Sequence, residues 1–187
     1  MKKDYLILIM FLAITLISGA VIFMIKAPQP EISSQQQITG EISLDTERQI
    51  NHLETLLADD PDNFDILESL GNAYYDINEP QKSIEYYERA LAIEPDAPHV
   101  LVDCGAMYRQ LGQADKAIEL FRKAIEIDPQ LPQAYFNLGA VLRMEKGDAV
   151  GAALAWKKYL ELDPNPDPQI KNLLEDEIKA GLGSQLE

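Results

Sequence analysis

Leu67-Glu68-Ser69-Leu70-Gly71-Asn72-Ala73-Tyr74 is a phrase that the chain repeats. Leu101-x-x-Cys104-Gly105-x-x-Tyr108 follows 34 residues on, and Tyr135-x-x-Leu138-Gly139-x-x-Leu142 another 34 beyond. Behind each copy stand a small residue, an aromatic four positions later and a proline: Ser83/Tyr87/Pro95, Ala117/Phe121/Pro129 and Ala152/Trp156/Pro164. Aligned without gaps, residues 64–97 and 98–131 agree at nine of 34 positions, and the agreements include the Leu, Gly, Tyr, Ala and Pro of the pattern. The second half of the third copy is offset by 35 residues, which puts one extra residue near Glu145-Lys146-Gly147-Asp148, in a turn.

Each copy reads as a pair of helices. Leu67, Leu70 and Tyr74 fall on one helical face, and Ile84, Tyr87 and Leu91 make a second stripe. Gly71 and Ala90 carry little or no side chain, so a neighbouring helix can approach closely there. Asn78-Glu79-Pro80 separates the two halves, and Ile93-Glu94-Pro95-Asp96 ends the pair, because proline disfavours helix before it and suits a first turn. The middle copy turns at Leu111-Gly112 and ends at Asp128-Pro129. In the third copy Tyr159 replaces the small residue at Ala90 and Ala124, so the next helix must pack farther off or at another angle. Residues 167–187 supply a last helix, over 167–180, and a tail; Ile170, Leu173, Leu174 and Ile178 fall on one side of the helix and charge on the other, as a terminal cap needs. Upstream, Ile50, Leu53 and Leu57 mark a capping helix within 43–63. About eight helices are expected outside the N-terminal segment.

A 34-residue period with these residues resembles the tetratricopeptide repeat. The copies are then 64–97, 98–131 and 132–166, and the resemblance implies an all-α fold, a right-handed α-solenoid whose concave groove binds a protein or peptide. It also implies that the second, fifth, ninth, twelfth and thirteenth positions of each copy line that groove. Here they are Asp65, Glu68, Asn72, Tyr75 and Asp76; His99, Val102, Ala106, Arg109 and Gln110; and Gln133, Phe136, Ala140, Arg143 and Met144. Asn72, Tyr75, His99, Val102, Arg109, Phe136, Arg143 and Met144 are the candidate partner-binding residues. Arg109 and Arg143 hold equivalent places and could grip a carboxylate together, or be held by local acids such as Asp103 or Glu145. Members that clamp the acidic tails of heat-shock chaperones use lysines where this chain has Glu68 and Phe136, so that clamp is not expected.

Charge narrows the partner. The formal net charge is −15, a field that repels phosphate backbones, so nucleic acid is not an expected ligand; the acid either favours cationic segments or simply keeps the surface soluble. No nucleotide-binding glycine pattern is present; Gly181-x-Gly183 lies in a tail expected to fray. The single Cys104 takes the inward place of Leu70 and Leu138 and reads as a buried thiol. His52 and His99 lack a third ligand at metal spacing. No nucleophile, base and orienting acid stand together, so neither catalysis nor a metal or cofactor is expected.

Tyr5 to Ile25 carries no charge and, as a helix, would span about 31 Å, the thickness of a bilayer core. Lys2 and Lys3 precede it, so residues 1–26 read as a signal-anchor transmembrane helix with its N-terminus in the cytoplasm and the repeats outside. The competing reading is a cleaved signal peptide ending at Ser18-Gly19-Ala20, although the apolar run continues past it. Residues 27–42 read as a flexible polar linker. The whole resembles single-span bacterial repeat proteins of envelope assembly and c-type cytochrome biogenesis, tethered to the periplasmic face of the inner membrane. A self-assembling structural subunit, and hence a homo-oligomer, is the alternative class.

Overall fold

The computed structural model describes the backbone of residues 34–183 and the side chains of 44–183. The expected membrane span 1–26, the start of the linker and the last four residues lie outside the described residues. Among those described, eight helices and no strand occur: α1 (Ser34–Asp59), α2 (Phe64–Asp76), α3 (Pro80–Ile93), α4 (Pro98–Gln110), α5 (Ala114–Ile127), α6 (Pro132–Met144), α7 (Ala149–Leu162) and α8 (Pro168–Gly183). No helix among them is long and apolar enough to cross a membrane. The compact unit Ser43–Glu187 holds the repeats, as an all-helical solenoid in which each helix packs on the next from α2 to α8.

Helical backbone already begins at Ser34, inside the stretch expected to be a coil. Gln35, Gln36, Gln37 and Glu41 favour helix, and no proline lies between Pro30 and Pro61 to interrupt α1. In the repeat unit α1 buries Ile50 and Leu57, and Glu54 accepts hydrogen bonds from Tyr74 and Tyr86.

Each hairpin is closed by a ring lying where a side chain is missing. A Cβ on Gly71 would overlap the ring of Tyr87, one on Gly105 would come within 2.6 Å of Phe121 Cε1, and one on Gly139 would overlap the indole of Trp156. The rings come from α3, α5 and α7, the glycines from α2, α4 and α6. Tyr87 and Phe121 are fully buried, worth about 1.5–3 kcal/mol each for Phe-sized side chains. Beside these notches Ser83 Oγ donates to Gly71 O at 2.9 Å, and Trp156 Nε1 donates to Phe136 O at 3.2 Å. Cys104 is buried as expected, and burial pushes its thiol up to about 12.

The turns inside the hairpins share one device. Asn78, Gly112 and Gly147 adopt φ of 59°, 73° and 67°, the left-handed conformation that ends a helix. Glu79 N then bonds Tyr74 O, Gln113 N bonds Tyr108 O and Asp148 N bonds Leu142 O, all at 2.9 Å. The third loop holds one residue more than the others, so the insertion sits in the turn.

Contacts between repeats recur in register. Tyr74 donates to Glu54 and Tyr108 to Glu88, while Arg89 donates to Pro61 O and Lys123 to Pro95 O. The last helix departs from this order. Tyr159 tilts over Phe136, ring centroids 5.2 Å apart, and α8 approaches α7 through Gly181, which abuts Ala149 O and Ala153 Cβ. Gly181 is therefore buried in a helix and not in a frayed tail. The apolar side of α8 is only partly covered: Leu174 is 4% exposed, but Ile170 is 39% and Leu173 63%.

The ring-in-notch packing predicts the effect of filling a notch. Gly105→Val should destabilise the fold by about 3 kcal/mol, since Phe121 has nowhere to move. Urea unfolding of variant and parent checks this; equal midpoints would show the notch is not required.

Candidate functional site

The first helices of the hairpins, α2, α4 and α6, present one face on which the expected groove positions gather, and α8 closes its far end. Between α6 and α8 lies an apolar groove of about 560 Å³, lined by Phe136, Ala140, Met144, Trp156, Ile170 and Leu173 among others, with Arg143 and Glu177 at its rim. Its cause is the displaced last helix. With Tyr159 on Phe136 and α8 seated along α7 through Gly181, α8 does not close onto α6. Met144 is 73% exposed there.

A polar hollow of about 390 Å³ follows, bounded by Tyr75, Ala106, Arg109, Gln110, Asn137 and Glu145. Tyr75 also lines the next recess, about 260 Å³, with Asn72, Asp76, Tyr87 and Asp103. Tyr87 donates to Asn72 Oδ1 at 2.6 Å, which orients the amide at this recess.

Both arginines are already engaged. Arg109 Nε donates to Glu145 Oε1 at 2.8 Å and Arg143 Nε to Glu177 Oε2 at 2.7 Å. Each bond reaches forward, Arg109 to the end of α6 and Arg143 into α8, so the guanidiniums tie successive elements together. In contrast, among the described residues no lysine or arginine pairs with Glu68, Asp76 or Asp103. Burial pushes the Asp103 carboxyl up to about 6; His99 draws it down and Glu68 pushes it further up. Burial, with the hydrogen bond to Glu54 next, likewise raises Tyr74.

Of the expected site residues, Tyr75, Asn72, Arg109, Phe136, Arg143 and Met144 line these hollows. His99 is exposed beside Asp103. Val102 is 5% exposed and belongs to the core, so it offers no groove floor. Sequence reasoning misses Ile170, Leu173 and Glu177 as groove residues, because the apolar stripe of α8 has the spacing of a buried one. In the sequence Asp103 stands out only as a possible arginine partner. Among the described residues no cluster of three or more His, Cys, Asp or Glu could hold a metal ion.

Known proteins agree with this architecture. A family profile described as tetratricopeptide repeat matches residues 64–97, and one described as TPR repeat matches 105–144. The Sgt2 TPR domain from Aspergillus fumigatus is 32% identical over 66% of this chain and 82% of its own, with a TM-score of 0.58. A crystal structure of MamA is 21% identical over 84% of this chain and 86% of its own, with a TM-score of 0.68. The first TPR of Spaghetti (RPAP3), solved bound to the HSP90 peptide SRMEEVD, is 21% identical over 63% of this chain and 91% of its own, with a TM-score of 0.57. No curated protein sequence matches significantly. The chain belongs to the tetratricopeptide repeat family. Proteins of that family are generally non-catalytic scaffolds for interactions between proteins.

The raised carboxyl makes Asp103 a liability whose sign depends on pH. Its folded value lies above the unfolded 3.8, so the penalty is absent below about pH 4, grows to about pH 6 and is complete above. Asp103→Asn should therefore raise unfolding free energy at pH 7.5 by about 1–2 kcal/mol, discounted for partial exposure, and change it little at pH 3.5. Urea unfolding at the two pH values reads the difference; equal effects at both would mean the carboxylate is well solvated.

Proposed function

We propose that this chain is a membrane-tethered interaction scaffold that holds a peptide or partner protein in the concave groove of its repeats. The observation that carries this reading is the groove between α6 and α8, where Phe136, Met144, Ile170 and Leu173 leave apolar surface uncovered on the face that the family uses for binding. Such surface is worth covering, and a stack of hairpins offers it without any internal rearrangement. The tether rests on the uncharged stretch Tyr5–Ile25 behind Lys2 and Lys3, which supports an anchor with the repeats on the extracytoplasmic side of a bacterial inner membrane. Work in envelope protein assembly or c-type cytochrome biogenesis is the role that this arrangement suits, by its likeness to single-span repeat proteins of those systems.

A photoreactive residue in place of Phe136, in the full chain in its native membrane, should crosslink a distinct partner. The same residue in place of Glu119, on the exposed side of α5, should not. Identical crosslinks from both positions, or none from either, would reject the groove as the binding surface.

A further inference from the structure

We propose that the groove selects a cationic segment carrying one large apolar anchor, with the anchor between α6 and α8 and a basic residue in the Asp103 recess. This rests on the groove reading above and adds the chemistry of the partner.

The apolar half is the larger hollow, about 560 Å³, enough for a leucine, phenylalanine or tryptophan side chain and its neighbours. Its walls are nearly free of charge: Arg143 and Glu177 neutralise each other at the rim at 2.7 Å. The other arginine of the groove is cancelled in the same way by Glu145. What remains toward α2 is acid. Asp76 and Asp103 line the far recess, Glu68 stands close enough to Asp103 to disfavour its charge, and His99 is the opposing group. Asn72, fixed by Tyr87, adds a side-chain amide beside them. An ammonium or guanidinium placed there would relieve the repulsion between Glu68 and Asp103 and restore what Asp103 loses by burial. An acidic segment would meet unpaired carboxylates and would have to displace Glu145 or Glu177 to reach an arginine.

Spacing follows from the stack. Adjacent first helices pack roughly 10 Å apart, so the two hollows are about 20 Å from each other. About six residues of extended chain cover that distance. The recognised feature is thus a lysine or arginine about six residues from a bulky apolar side chain. The net charge of −15 assists the approach of such a segment.

The test pans a phage-displayed library of random 12-residue peptides on the full chain in detergent micelles, beside the variants Leu173→Glu and Asp103→Asn. Leu173 is largely exposed and Asp103→Asn removes a buried charge, so neither change threatens folding. Peptides with basic and apolar residues at the stated spacing should be enriched. Leu173→Glu should abolish the enrichment, and Asp103→Asn should lower affinity for the basic peptides about tenfold while sparing uncharged apolar ones. Acidic or charge-indifferent peptides that still depend on Leu173 would overturn the inference and leave the groove reading standing. No enrichment, or enrichment indifferent to Leu173→Glu, would overturn both. Concentration-dependent self-association in light scattering that Leu173→Glu removes would assign the groove to a second copy and equally defeat the proposal.

Discussion

A ring seated where a Cβ is absent holds every hairpin of this protein together. Gly71, Gly105 and Gly139 let Tyr87, Phe121 and Trp156 reach the backbone of the facing helix, and no other residue at the glycine positions would admit them. Short helices of thirteen or fourteen residues are marginal alone. Burial of these rings, with Leu67, Leu70, Leu101 and Leu138 around them, is what makes them persist. Because the rings point inward, the opposite face of each first helix takes no part in this packing, and its residues vary from repeat to repeat.

That variation shows in the groove. Glu68 and Phe136 hold one equivalent place, Asn72 and Ala140 another, and Tyr75 and Arg109 a third, although the repeats around them agree. The arginines, which look in isolation like anion receptors, spend their charge on Glu145 and Glu177. The acids toward α2 have no such partner among the described residues. A groove rich in charged residues thereby becomes apolar at one end and acidic at the other.

The repeats were legible because periodic constraints write themselves into sequence more than once. Gly112 and Gly147 were legible as turn residues, since a left-handed turn needs them; Asn78 marks the same place less plainly. The extra residue near Gly147 was placed correctly because a turn is the one site where it disturbs no packing. Tyr159 signalled a change in the last helix without saying where that helix would go. The groove it opened depends on how Gly181 meets Ala149 and Ala153, a fit that one helix cannot announce by itself. Ile170 and Leu173 have the spacing of a buried stripe, yet only Leu174 finds full cover. A pattern of apolar residues states what could be buried, not whether a neighbour arrives.

From its sequence alone this chain is a stack of helical hairpins with an acidic surface and an uncharged N-terminal stretch. Residue size, period and turn preference are local properties, and repetition makes them unambiguous. The tertiary structure decided that Arg109 and Arg143 are neutralised, that Val102 is core and that the far end of the groove stays open. Those outcomes depend on which side chain from a distant helix comes within reach, and on nothing that either segment carries alone.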